Sequence, residues 1–243
     1  MQYFSILKCL TNHQKNLVTT AEPSNTSPQE KIIFKLERGN SKIIYWDLIK
    51  NKKETPTSED KIRHKFNIEV SQVEWHQIYT VPVCTIEMKL QSFQFSINHF
   101  YYFSNDKLHR IGKSQTPNCS FCKTEVETIS HLFLDSTKIQ RLWNFFNHIL
   151  TQINLYENVT NIIKLMGFYT KVSDKKYEII NHTLIVLKHF IHICRHKETQ
   201  PTVAGFKARL LDTEYLEKQI AKNKNKETGH NEKWGQILNI LTS

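Results

Sequence analysis

TKIQRLWNFFNHIL, residues 137–150, decides the class of fold. Ile139, Leu142, Trp143, Phe146, Ile149 and Leu150 recur at spacings of three and four, the period of a helix with one buried face. DKKYEIINHTLIVLKHFIHICRH, residues 174–196, repeats the pattern over a longer span. There Tyr177, Ile180, Leu184, Leu187, Ile191 and Cys194 form one seam, in a helix that follows Ser173. Pro201 begins a further helix to about 221, and a last one runs to 241. On the N-terminal side, residues 86–101 place Leu90, Phe93, Ile97 and Phe100 on one stripe. Ser104 caps a short helix to Ile111. Ser71 caps a helix with Val73, Trp75 and Ile78 inward, which Pro82 ends. Ser58-Glu59-Asp60 opens another, and Ser41 caps a helix carrying Tyr45, Trp46, Leu48 and Ile49. Residues 31–36 (KIIFKL) read as a short strand, and residues 20–30 (TAEPSNTSPQE) as a loop or frayed tail.

Composition removes most enzyme classes. The chain has 243 residues, with 33 Lys and Arg against 23 Asp and Glu, a formal charge of +10. Its six glycines are too scattered for a phosphate cradle, a dinucleotide fingerprint or a nucleophile elbow. Glu59-Asp60 is the only pair of adjacent carboxylates, so a polymerase-type Asp-Asp pair is missing. Five cysteines, an odd number, argue against a disulfide scaffold and for a reducing compartment, nucleus or cytoplasm. No apolar run approaches the ~20 residues that span a bilayer, so no membrane partner is expected.

One constellation carries chemistry. Cys119-Ser-Phe-Cys122 is a C-x2-C pair in a turn, a spacing that lets two thiolates grip one tetrahedral ion. His131 and Asp135 follow, and the i, i+4 relation places them on one helical face. Thr124-Glu-Val-Glu127 reads as a capping box for a helix over 125–135. The expected ligand set is Cys119, Cys122, His131 and Asp135, with zinc as the cofactor. A pair of ordinary thiols with a surface histidine is the competing reading. Ser136 stands where a further cysteine would complete the set. It is a poor zinc ligand but a good N-cap for the helix from Thr137. The predicted class is all-α: an irregular multi-helix domain with a zinc-knuckle-like turn inserted between helices and one short N-terminal strand. Its divisions are a flexible segment at 1–30, a helical region at 31–103, the knuckle with its flanking helices at 104–151, and a basic helical region at 152–243.

Residues 89–143, KLQSFQFSINHFYYFSNDKLHRIGKSQTPNCSFCKTEVETISHLFLDSTKIQRLW, resemble the zinc-binding region C-terminal to the reverse transcriptase of LINE-type (non-LTR) retrotransposon polyproteins. The matching features are Ser92-Phe93-Gln94, Leu108 to Gly112, Cys119 and Cys122, Glu127-Thr128, His131-Leu132-Phe133, and Trp143. Weaker likeness extends over about 32–240. It includes Met166-Gly167-Phe168, Cys194-Arg195 and Lys233-Trp234. The resemblance implies a nucleic-acid-handling appendage rather than a polymerase, since the polymerase and endonuclease motifs of such polyproteins are absent from this chain. Ser136 departs from the family's fourth cysteine.

Charge points the same way. Thirteen Lys or Arg face six acids between residues 164 and 226. Lys107, Arg110, Lys113, Lys123, Lys138 and Arg141 surround the knuckle and suit phosphate contacts of low sequence specificity to RNA or DNA. Tyr101, Tyr102, Phe103 and Phe121 are candidates to stack on unpaired bases, or else core residues. His189, His192 and His196 read as surface histidines. The expected function is therefore a non-catalytic, nucleic-acid-binding domain. The alternative is a metal-free helical interaction module, or a retrotransposon remnant with no selected activity.

Overall fold

The computed structural model describes residues 57–67 and 75–242. The strand expected at 31–36, the helix around Trp46 and the tail at 1–30 lie outside them. The described residues fall in one compact unit, 56–243. They are helical, with a single isolated antiparallel bridge between Asn118 and Val126. The helices are α1 (Thr57–Phe66), α2 (Trp75–Thr80), α3 (Met88–Asn98), α4 (Asn105–Arg110), α5 (Gln140–Gln152), α6 (Asn161–Met166), α7 (Lys175–His196), α8 (Val203–Asn223) and α9 (Glu227–Thr242). No helix here is long and apolar enough to cross a membrane.

Helix α7 is the axis of the fold. It packs on α8, α9, α3 and α5, and on the 3-10 turn Val81–Cys84. The sequence pattern gave it one apolar seam, yet it is buried on nearly every side from Ile179 to His189. Neighbours on all faces force Asn181, His182, Thr183, Lys188 and His189 into the core. His189 is thus not a surface histidine, whereas His192 is half-buried and His196 exposed. The cap of α7 is Asp174, whose side chain accepts from the Lys176 amide.

Polar stitches hold the frame. The buried Gln94 side chain donates to the Leu165 carbonyl at 2.9 Å, and Lys188 Nζ donates to the same oxygen at 2.5 Å. Leu165 lies in the last turn of α6, where backbone carbonyls lack intrahelical donors. Gly167 follows with φ +85°, and an added Cβ would sit 2.7 Å from Val81 Cγ1 and 2.9 Å from Asn181 Oδ1. That Oδ1 accepts from the Phe168 amide. Only glycine fits both the backbone angle and the space. Pro82 does not end α2 in open chain but sits in the 3-10 turn that follows it.

Candidate metal centre

The knuckle grows from a tight turn. The Cys119 amide donates to the Glu125 carbonyl at 2.7 Å, and the Lys123 amide donates to the Cys119 carbonyl at 2.9 Å. Lys123 takes a left-handed φ of 64° to close it. The Phe121 amide points back at Cys119 Sγ, 3.4 Å away. Amide-to-sulfur bonds of this kind stabilise a thiolate.

The following helix starts later than the capping box suggests. Thr128 is its first cap: its Oγ1 accepts from the His131 amide. Glu127 does not cap this helix but serves the first amide of α4 and the knuckle instead. Its carboxylate is fully buried. One oxygen accepts from the Asn105 amide and the other from the Ser120 amide inside the knuckle. Arg195 Nε, from the end of α7, completes the arrangement at 2.7 Å. The same guanidinium donates to Asn105 Oδ1 and lies over the Tyr102 ring. Sequence reasoning missed this latch. Its only signals were Glu127 in the Glu-Thr pair and Arg195 after Cys194, matched to the family without a role.

The turn brings Cys119, Cys122 and His131 together, with their ligand atoms all within 4.8 Å of one another. His131 Nε2 stands 3.4 Å from Cys122 Sγ. Burial opposes the Cys122 thiolate. It is outweighed by hydrogen bonds from the Thr124 hydroxyl, the Glu125 and Thr124 amides and His131, which bring the thiol down to about 6. Cys119 is shifted the other way, upward, because burial dominates there. Two sulfurs and an imidazole at this separation fit a zinc ion by donor type.

Asp135 does not join them. The chain from His131 to Asp135 is a wide π turn, closed by the Ser136 amide donating to the His131 carbonyl at 2.9 Å. Asp135 is exposed there. Ser136 makes no capping bond to the 3-10 turn Thr137–Ile139, and its hydroxyl is buried without a hydrogen-bond partner. An orphaned buried hydroxyl is uncommon.

Of the cations near the knuckle in sequence, Arg110, Lys113, Lys123, Lys138 and Arg141 are exposed, and Lys107 is half-buried. Tyr102 and Phe121 belong to the core, whereas Tyr101 and Phe103 face solvent.

Residues 62–143 match the family described as zinc-binding in reverse transcriptase. The resemblance read from 89–143 is thus borne out, and the matched span holds the whole knuckle. No curated protein matches the chain.

Proposed function

We propose that the chain is a non-catalytic module of LINE-type retrotransposon origin that holds zinc at its knuckle and binds RNA or DNA through backbone charge. One observation carries the reading: Cys119, Cys122 and His131 converge within 4.8 Å inside the segment that matches the reverse-transcriptase zinc-binding family. These three side chains would hold the ion, with water in the fourth position. A bound zinc supplies a cross-link between the turn and the helix after Thr128, a structural role rather than an open catalytic one. The exposed cations Arg110, Lys113, Lys123, Lys138 and Arg141 would meet phosphates, each engaged one adding about −0.9 to the log-log salt slope on duplex DNA.

Elemental analysis of protein purified without added metal tests the centre. About one zinc per chain is expected. It should be lost in Cys122→Ser and His131→Ala and kept in Asp135→Ala. The set of only three donors favours a second reading, a metal-free helical interaction module. A chain that carries no metal and whose folding ignores a chelator would establish that one.

A further inference from the structure

A ladder of aromatic rings stands at the C-terminus of α3. Tyr79 and His99 stack with centroids 5.0 Å apart and planes 6° from parallel. His99 and Tyr101 stack at 5.8 Å and 20°, and Phe95 leans on His99 at 4.2 Å. The outer rings are open to solvent: Tyr101 is 63 % exposed, Phe103 58 % and Phe95 52 %. Large aromatic side chains are seldom left so bare in one place.

The backbone holds the ladder in position. The Phe100 amide donates to the Ile97 carbonyl and the Tyr101 amide to the Ser96 carbonyl, the two bonds of a Schellman helix end. Phe100 takes the left-handed φ of 55° that such an end normally gives to glycine. A bulky residue held there is strained, and such strain gathers at working surfaces. The turn sets Tyr101 beside His99 and sends Tyr102 into the core, where its hydroxyl meets His192 Nδ1 at 2.9 Å.

Cations flank the rings. Lys107 Nζ donates to the Phe100 carbonyl. Lys61 and Arg110 lie close enough to Lys107 to disfavour its charge, after the larger effect of burial. Arg110 is tied to Asp106 at 3.0 Å on the open surface, where such pairs are weak and exchange readily.

We propose that Tyr101, His99, Phe95 and Phe103 form a stacking platform for the unpaired bases of a single-stranded nucleic acid, with Lys61, Lys107 and Arg110 placed for its phosphates. The exposed Tyr101, Phe95 and Phe103 rings can take any base, with His99 backing Tyr101 from within, and the adjoining positive charge matches a polyanion better than the apolar face of a protein. The inference rests on the nucleic-acid reading above and goes beyond it, because charge alone does not separate single strands from duplex.

The test is a titration of a labelled oligouridylate and of a duplex of equal length, with wild type, Tyr101→Ala, Phe103→Ala and Tyr101→Trp. Each alanine should weaken the single strand roughly 5- to 150-fold and leave the duplex unchanged, while Tyr101→Trp retains affinity. Circular dichroism should show no loss of helix, since both side chains are exposed. Wild type that binds the single strand as well as its alanine variants do would overturn the platform and leave the charge reading standing. Wild type that binds neither probe would overturn both. Self-association lost in Tyr101→Ala, with strand binding untouched, would make the ladder a protein-docking surface instead.

Discussion

Arg195 and Glu127 carry the heaviest electrostatic demand of any residue pair near the knuckle. Both are buried, and the carboxylate is satisfied by three donors from three separate parts of the chain. Removing one member of a buried pair strands the other without solvent or counter-charge. Arg195→Ala should cost about 3–5 kcal/mol in a denaturant titration. Replacing both partners together by apolar residues should cost much less than the sum of the singles. Ser136→Cys tests the fourth position directly. If Ser136 occupies the place of the family's last cysteine, the variant should hold metal against a chelator concentration that strips the wild type.

At the scale of helices, periodicity located most of the body. The stripe at 86–101 became α3, the pattern at 137–150 became a 3-10 turn running into α5, and 174–196 became α7. Periodicity reports an apolar face only when a polar face exists. It therefore understated α7, whose polar residues are buried by contacts distant in sequence. The short α6 was missed because six residues, NIIKLM, are too few to show a period. The knuckle was legible from two cysteines and a histidine, since local spacing fixes a tight turn. The Glu127 latch was not, because its partner lies 68 residues away. Gly167 joins α6 to the turn before α7. Gly167→Ala should lower stability by about 1–3 kcal/mol through the added Cβ against Val81 and Asn181. The temperature of unfolding measures this, and Gly229→Ala, with open space around it, serves as the control.

Taken as a whole, the molecule is built to lose stability in acid. Burial dominates His182, His189 and His192, with smaller effects from nearby cations and Glu217, and brings them to about 3, 3 and 4. His182 lies 3.8 Å from Glu217. It stays neutral because burial, helped by the nearby Lys233 ammonium, outweighs the pull of that carboxylate, which also accepts from Lys233 and the Trp234 ring N–H. The unfolded chain takes up protons below the ordinary histidine value of 6.5, while the folded chain refuses them. The histidine contribution to stability is therefore complete above 6.5 and declines as pH falls toward 3. Lys188 adds a second window. Burial, partly offset by Cys84, lowers its ammonium from 10.5 to about 7. Between those values the unfolded chain holds a proton that the folded chain has lost, so stability rises with pH. Lys188→Met should stabilise most near neutrality, and the gain should shrink toward pH 10.5. Denaturant midpoints across the pH range would show both trends.

Helix α7 also limits how finely this chain can be dissected. A peptide excised around the two cysteines, in the manner of an isolated finger, would keep the carboxylate of Glu127 and discard the guanidinium that neutralises it. Metal added to such a fragment would have to fix the turn without the buried ion pair that holds it in the full chain. The smallest autonomous unit must reach past residue 195, so the knuckle is an outgrowth of the bundle and not a bead that can be cut from its string.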